Sequence, residues 1–213
     1  VLKRLLREGI FDVSGFVSKD GLKITGGEFN LANYLNIIEP NSGRNEGIPI
    51  AVDLDTIHIT DSFYIDNFST NFFSDKITGQ FNGLFMGVNP ITGSFTSKSG
   101  ISSVEILSKD AGVFLQVAGL IKKGSEGSLR LSINRKQKNI EGRLLTEDLK
   151  IYDLPALAKL LQALSIIGLL EQMLGQGLFL DESDINFRLD EGQYIIDRAS
   201  FFGPSLGISL DGY

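Results

Sequence analysis

Apolar and polar residues alternate along most of this 213-residue chain, with the period of two that is typical of half-buried antiparallel strands. The segment ITGQFNGLF places Ile77, Phe81 and Phe85 on one face. The small Gly79 and Gly83 lie between them and are expected to leave room beside Phe81. The same alternation occurs at Leu129, Leu131 and Ile133, at Ile185, Phe187 and Leu189, and at Leu206, Ile208 and Leu210. The pattern predicts a mainly β fold built from antiparallel strands.

Three segments have the apolar spacing of helices, and each begins with Asn or Asp, which favour the N-cap position. They are residues 30–40, 110–124 and 153–177. In the second segment, Lys123 opposes the negative end of the helix dipole, and Gly124 is the candidate for the position after the C-cap. The third segment is the most apolar stretch of the chain, and its stripe consists of Leu157, Leu160, Leu161, Leu164, Ile167 and Leu170.

The third helix has nearly the length of a membrane span, which needs about twenty predominantly apolar residues. Lys159 and Glu171 interrupt it, and a charge at the bilayer centre costs roughly 2.5–3.5 kcal/mol on insertion scales. Gly168 is expected to bend or divide the helix. We therefore expect a kinked or broken helix over Leu154–Leu174 that packs on the sheet and does not cross a membrane.

The predicted strands offer more apolar surface than three helices can cover. A sheet of this kind either closes into a barrel or sandwich and buries its own face, or it stays open and something else fills it. Lipid acyl chains are one candidate filler. The hydrophobic pattern alone leaves both alternatives open.

Composition narrows the classes of function. The net charge of −6 and the pI of about 4.9 disfavour nucleic acid as a partner, because binding a phosphate backbone needs a basic face. The chain has no cysteine, so it has neither a disulfide framework nor a thiolate site. It contains no P-loop and no dinucleotide fingerprint, and we expect no cofactor. The N-terminal VLKRLLREGIFDV lacks the features of a signal peptide, and we expect the chain to be a fragment of a longer protein.

Few residues could carry catalysis. His58 is the only histidine, and its alternation with Ile57 and Ile59 favours an outward-facing strand residue over a catalytic or zinc-binding one. The segment GPSLG around Ser205 matches the pattern of a nucleophile elbow. A strand-like segment follows this serine, however, where the elbow requires a helix. We predict an inert Ser205 in a strand–turn–strand connection, and no enzymatic activity.

Three charged clusters are explained as structural or surface residues. Asp53 and Asp55 fall on one face of a strand and could form an acid–base or metal pair, but we favour the solvated face of an amphipathic strand. The acidic run Asp181–Asp184 lacks the glycine and spacing of a calcium loop and is predicted to be a turn. The basic run NRKQKN, residues 134–139, is predicted to be a hairpin tip that could touch anionic head groups. No metal site is predicted.

The order of segments in the second half resembles one protein family. A helix and a strand, SKDAGVFLQVAGLIKKGSEGSLRLSI, are followed by DLKIYDLPALAKLL, a second apolar turn IIGLLEQMLGQGL, the amphipathic FLDESDINFRLDEGQYIIDRA, and GPSLGISLDG. In this order they resemble the C-terminal region of the AsmA-like proteins of Gram-negative bacteria, with the YhdP type as the nearest branch. The resemblance covers about residues 104–213 and is thin before Ser99.

The resemblance implies an elongated, curved antiparallel β-groove, with helices at its ends or edges and an apolar inner trough. Members of the family are anchored in the inner membrane, extend across the periplasm and are implicated in moving phospholipid to the outer membrane. It thus implies a non-catalytic, lipid-conducting module in the periplasm, attached to the inner membrane through a segment outside this chain. We expect residues 1–213 to form one such module, with sub-repeats 1–108 and 109–213.

The resemblance also implies that phospholipid acyl chains lie on apolar residues that alternate along the strands. The predicted groove face consists of Phe81, Phe85, Leu129, Leu131, Ile133, Ile185, Phe187 and Leu189. The stripe of the third helix would pack at one end of this groove. The alternative is a structural or scaffold β domain of a cell-envelope protein, with a self-filled core and no ligand. A hydrolase would rest on GPSLG alone.

Overall fold

The computed structural model describes residues 10–11, 14–18, 21–31, 47–98, 100–136, 139–153, 177–190, 193–204 and 206–212. These residues form a mainly β, largely antiparallel fold with one short helix, which confirms the predicted fold class. The chain divides into two compact units: residues 1–105 with 134–137, and residues 106–133 with 138–213. The two sub-repeats proposed from the sequence have nearly the same boundary and stay a prediction.

The first unit is a sheet whose strands follow the order β1-β4-β5-β6-β7-β8-β9, with β2 and β3 beside this path; residues 106–108 of β9 belong to the second unit. Strands β5 to β8 are antiparallel neighbours, whereas β3 and β4 both pair with β5 in parallel. The bounds are β1 Ile10–Phe11, β2 Ser14–Ser18, β3 Gly21–Thr25, β4 Glu28–Asn30, β5 Pro49–His58, β6 Tyr64–Phe73, β7 Lys76–Phe85, β8 Asn89–Lys98 and β9 Ile101–Ser108.

Two glycines separate β3 from β4 and keep both strands alongside β5. Gly26 and Gly27 have φ angles of +71° and +70°, in the left-handed region that glycine adopts without steric cost. The Gly26 N–H donates to the carbonyl oxygen of Asp53 at 2.8 Å, and the Asp55 N–H donates to the carbonyl oxygen of Gly27 at 3.0 Å. Gly26 and Gly27 therefore interrupt the regular hydrogen bonding to β5 locally, and the sheet continues beyond them.

The second unit contains helix α1 and a run of strands in the order β11-β12-β13-β14-β15, with β10 paired to β12; residues 134–136 of β11 belong to the first unit. Strands β12 to β15 are antiparallel and follow one another in sequence. The bounds are α1 Ala111–Val117, β10 Lys123–Ser125, β11 Ser128–Lys136, β12 Asn139–Asp153, β13 Leu178–Asp190, β14 Gln193–Gly203 and β15 Leu206–Asp211.

Helix α1 begins where the sequence predicts but ends earlier. The Asp110 carboxylate accepts a hydrogen bond from the Val113 N–H at 2.9 Å, which confirms the predicted N-cap. The predicted end at Gly124 is wrong, because Gly119 adopts the left-handed conformation with φ +73°. The N–H groups of Gly119 and Leu120 then donate to the carbonyls of Gln116 and Leu115, which is the Schellman arrangement.

Helix α1 lies against β10 and β12 and covers one end of the sheet. Its Gly112 permits this close approach, since a Cβ there would overlap the backbone of Ser125. Gly124 is part of β10, where it pairs with Ile151 and faces the side chain of Ile121. The core at this end consists of Ala111, Phe114, Leu115, Ile121, Leu149, Ile151, Leu178 and Leu180.

Two of the predicted helices fall on residues 32–40 and 154–176, which lie outside the described residues. Asn30, the predicted cap of the first, is the last residue of β4. The predicted bend at Gly168 also lies outside, as does the predicted stripe of Leu157, Leu160, Leu161, Leu164, Ile167 and Leu170. Within the described ranges, no helix has both the length and the apolar character that crossing a bilayer requires.

The acidic run Asp181–Asp184 is not a turn, and that prediction is wrong. It lies inside β13, with Asp181 and Glu182 exposed and Ser183 buried. The Arg143 side chain of β12 forms an ion pair with Asp184, and this partner allows the carboxylate to sit within a sheet. The pairing partner lies far away in sequence, so local composition could not reveal it.

Candidate functional site

The first unit carries one apolar sheet face, which the strand register defines. Directly paired residues share a face, and the pairs Leu54–Phe68, Thr70–Phe81 and Gly83–Ile91 therefore point to the same side. We call this the first-unit face; its large side chains are Val52, Leu54, Ile57, Ile65, Phe68, Phe72, Phe81, Phe85, Ile91 and Phe95. Both predicted residues of this unit, Phe81 and Phe85, are buried in it.

Side chains of the protein itself cover much of the first-unit face, and Val52, Phe72 and Phe95 remain half-buried. The ring of Phe81 lies 5.7 Å from that of Phe68 and 6.5 Å from that of Phe95, measured between centroids. A Cβ on Gly79 would lie 2.9 Å from Phe95, and a Cβ on Gly93 would overlap Phe81. The glycines thus accommodate large neighbours. The expectation that Gly79 and Gly83 leave room beside Phe81 is wrong, since Phe95 and Ile65 occupy that space.

The second unit carries an apolar face that continues over several strands. The predicted residues Ile185, Phe187 and Leu189 of β13 pair with Leu144, Gly142 and Ile140 of β12. On the other side of β13, the register continues this face into β14 and β15. We call it the second-unit face; it comprises Ile140, Leu144, Thr146, Leu149, Ile151, Leu178, Leu180, Ser183, Ile185, Phe187, Leu189, Tyr194, Ile196, Ala199, Phe201, Ile208 and Leu210.

Exposure changes along the second-unit face. At the end covered by α1, Leu149 and Leu180 are almost completely buried. In β14 and β15, by contrast, Tyr194 is 69%, Ile196 is 51% and Leu210 is 44% exposed. The three predicted residues of β13 are half-buried and lie between these extremes. The face therefore passes from a covered core to an uncovered apolar strip.

The remaining predicted groove residues lie on β11. Leu129 is buried, and Leu131 and Ile133 are half-buried. They occupy alternate positions, so they share one face of that strand as predicted. Strand β11 ends at Lys136 and β12 begins at Asn139, so the basic run 134–139 lies where these two neighbouring strands are joined.

The opposite face of the second unit is charged. Arg143 donates two hydrogen bonds to Asp184, from Nε to Oδ1 at 2.9 Å and from Nη2 to Oδ2 at 2.7 Å. These bonds hold the pKa of Asp184 below its usual value. Arg198 pairs with Asp211 at 3.1 Å between the next two strands. Ion pairs that cross strands on this side mark it as the solvated face.

Two buried hydroxyl groups interrupt the second-unit face. Thr146 of β12 and Ser183 of β13 are directly paired and only 2% and 3% exposed. Among buried side chains of the described residues, theirs are the polar atoms without a hydrogen-bond partner. The first-unit face offers a contrast, because the buried Thr70 hydroxyl donates to the carbonyl oxygen of Gln80 at 2.7 Å.

The residues considered for catalysis have structural partners. The His58 Nε2 lies 3.1 Å from a carboxylate oxygen of Glu28, on the neighbouring strand β4. Asp53 pairs with Lys23 at 3.7 Å, and Asp55 accepts a hydrogen bond from the Gly27 N–H at 2.8 Å. No group of His, Asp and Glu residues in the described part of the chain is placed to hold a metal ion.

Ser205 lies outside the described residues, but its flanking strands are defined. Strands β14 and β15 are antiparallel, and Gly203 pairs with Leu206. The two predicted strands that flank this connection are therefore confirmed, and the turn at Ser205 stays a prediction. A nucleophile elbow needs a helix after the serine, and β15 takes that place.

The exposed residues of β14 are functional candidates that the sequence prediction did not include. Asp197 is an extra residue in this strand, since the register with β13 shifts between Asn186 and Phe187. This bulge moves the alternation by one position, so that Tyr194 and Ile196 share a face with Ala199 and Phe201. The apolar run YII, residues 194–196, indicated a strand. Which of its residues lie on the apolar face depends on the bulge at Asp197.

Comparison with known proteins gives no match: neither a protein-family model, nor a curated protein, nor a solved structure is similar to this chain.

Proposed function

We propose that this chain is a non-catalytic module that binds phospholipid acyl chains on the second-unit face. The observation that carries the proposal is the uncovered apolar strip formed by Tyr194, Ile196 and Leu210. A contiguous apolar strip on a sheet surface is typical of a ligand or partner site, because exposing it to water is unfavourable. Acyl chains suit such a strip since they need no hydrogen bonds from it.

The strip joins the half-buried residues Ile185, Phe187 and Leu189 of β13. Burying one such side chain is worth roughly 1.5–3 kcal/mol, whether protein or lipid covers it. Cross-strand ion pairs lie on the opposite face, although Phe202, which is 52% exposed, lies there as well. Acyl chains would lie on the apolar side and head groups would remain in water.

The resemblance to AsmA-like proteins extends the proposal to a place in the cell. On this basis the chain belongs to a periplasmic β-groove protein, attached to the inner membrane through a segment outside the chain, that conducts phospholipid between the inner and outer membranes. No chemical step is needed for such conduction. The order of segments over residues 104–213 supports this part.

The first unit favours a second candidate function, that of a structural β domain. Its apolar face is largely covered by the rings of Phe68, Phe81 and Phe95 together with the glycines beneath them. The buried part of this face needs no ligand, while Val52, Phe72 and Phe95 are half-buried. The predicted lipid contacts of Phe81 and Phe85 are therefore less well supported than those of the second unit.

Native mass spectrometry of the gently purified chain tests the lipid proposal. We expect co-purified phospholipid on the unmodified protein and much less on Ile196→Asp, because the new carboxylate lies in the strip. Ile48→Asp is the matched control, since Ile48 in the first unit is 50% exposed and Ile196 is 51% exposed. Equal lipid on both variants would contradict the assignment of this strip, and a lipid-free unmodified protein would favour the structural domain.

A further inference from the structure

Two lysines and a tyrosine come together on the charged side of the second unit. The Nζ atoms of Lys123 and Lys150 lie 4.8 Å and 5.3 Å from the ring centroid of Tyr152. Both ammonium groups are thus held beside one aromatic ring, where cation–π attraction is favourable. The phenol and the Ser125 hydroxyl add groups that can donate hydrogen bonds.

The pairing of β10 with β12 creates this cluster. Ser125 is paired with Lys150, and Gly124 is paired with Ile151. Because neighbouring residues of a strand point to opposite sides, Lys150 and Tyr152 project away from Ile151 and α1. The register shifts between Lys123 and Gly124, at the start of β10. The cluster therefore lies at the end of the sheet, where the side chains reach solvent.

The charges of this cluster differ from those on the rest of the second unit. Arg143, Arg188 and Arg198 each form an ion pair with an aspartate. In the described part of the chain, neither Lys123 nor Lys150 has a carboxylate partner within ion-pair distance. Glu126 follows Ser125 in the sequence and Asp153 is the register partner of Lys123, so the positive charge of the two lysines is partly offset, in a chain with a net charge of −6.

The neighbouring side chains change the pKa of the Tyr152 phenol. Interaction with the Ser125 hydroxyl, and then with Lys150, lowers the pKa of Tyr152 from its usual value, while Glu126 acts in the opposite direction. The largest cause is the hydrogen bond of Ser125 with the phenol itself, and the interaction with Lys150 adds to it. An anion that approaches from solvent would meet the same Lys150 charge, while Glu126 and Asp153, the register partner of Lys123, carry the opposing charges.

We propose that Lys123, Ser125, Lys150 and Tyr152 form a binding site for a phosphate ester. Lysine binds phosphate as a point charge, and hydroxyl groups complete the hydrogen bonds of its oxygens. The ester is either a small soluble phosphate or the head group of an anionic phospholipid, which share this chemistry. Because the site lies on the side opposite the second-unit face, it does not depend on acyl-chain binding.

A soluble probe tests the site alone. We expect glycerol 3-phosphate to shift the NMR signals of the Tyr152 ring, and added salt to weaken the effect. The Lys123→Gln/Lys150→Gln variant should bind it at least ~5-fold more weakly, a modest loss that suits exposed charges. Lys23→Gln/Lys98→Gln removes the same charge in the first unit and should bind as the unmodified protein does. Glu126→Gln should bind more tightly, because it removes the opposing charge.

Vesicle flotation then separates the two sources of phosphate. If head groups are the ligand, the unmodified protein floats with phosphatidylglycerol vesicles, and the Lys123→Gln/Lys150→Gln variant floats less than its control. Binding of glycerol 3-phosphate without flotation assigns the site to soluble esters. Absence of probe binding, or equal loss in both double variants, would overturn the proposal. These outcomes do not depend on the lipid that native mass spectrometry detects. The phosphate site and the acyl-chain strip can therefore fail separately.

Discussion

Buried hydroxyl groups behave differently according to whether they have a partner. Thr146 and Ser183 are buried side by side with neither hydroxyl hydrogen-bonded, while Thr70 donates to a backbone carbonyl. A buried polar group without a partner keeps its desolvation cost. Replacing it with an apolar group of the same shape removes that cost. Replacing a hydrogen-bonded one leaves its acceptor unsatisfied.

We therefore predict opposite effects for two Thr→Val substitutions. Thr146→Val, alone or with Ser183→Ala, should raise the free energy of unfolding by ~1 kcal/mol, and Thr70→Val should lower it by ~1 kcal/mol. Urea denaturation followed by circular dichroism measures both. Destabilisation by Thr146→Val would show that its hydroxyl makes a hydrogen bond, for example to a buried water.

Two phenylalanines of the first unit provide a second contrast. Phe85 is 7% exposed and belongs to the buried part of the first-unit face, whereas Phe73 is 52% exposed. Phe85→Asp buries an unpaired charge and should unfold the first unit, while Phe73→Asp should leave it folded. Thermal melts of the two variants distinguish them. A folded Phe85→Asp variant would mean that this face is accessible to water or ligand, as the sequence-based groove requires.

At the scale of elements, Arg143 and Asp184 connect β12 to β13. The hydrogen bonds from Arg143 lower the pKa of Asp184, so this carboxyl stabilises the fold above its unfolded pKa of about 4. That contribution is lost as the pH falls through the lower, folded pKa. We expect Asp184→Asn to destabilise the protein near neutral pH and to have a smaller effect in increasingly acidic solution below about pH 4.

Urea midpoints of Asp184→Asn and the unmodified protein, measured over that pH range, test this expectation. Asp211→Asn is a suitable control. Its pair with Arg198 is also an ion pair between strands, but both side chains are mostly exposed, and such pairs contribute little. A destabilisation by Asp184→Asn that does not change with pH would mean that packing, and not the charge, holds β12 to β13.

The elements that the sequence predicts best are those defined by local patterns. Strand β7 contains the whole alternation from Ile77 to Phe85, and Asp110 caps α1 as its spacing indicates. The errors arise where residues far apart in the sequence determine the local structure. The acidic run in β13 is a strand because Arg143 reaches it, and the phase of β14 depends on the bulge at Asp197. Helix α1 ends at Gly119 and not at Gly124, because Gly119 precedes Gly124 in the chain and already adopts the left-handed conformation.

The candidate site was predicted in part for the same reason. Ile185, Phe187 and Leu189 follow a simple alternation, and the register places them on the second-unit face. Tyr194 and Ile196 were missed because a bulge is not visible in the pattern. The fit of Phe81 over Gly93 also required the register, since it depends on which residues of β7 and β8 are neighbours.

At the scale of the whole molecule, lipid should affect the two units unequally. The first-unit face is buried or half-buried beneath its own aromatic rings, while the second-unit face ends in an exposed strip. A ligand that binds only the folded state stabilises it by ~2.7 kcal/mol at 100-fold excess over its Kd. We expect delipidation to speed amide hydrogen exchange in β13, β14 and β15 and to leave β6, β7 and β8 unchanged. Phospholipid added back should restore the slow exchange, except in Ile196→Asp. Equal changes in both units, or none in either, would contradict lipid binding at the strip, since only contact there gives protection to these strands alone.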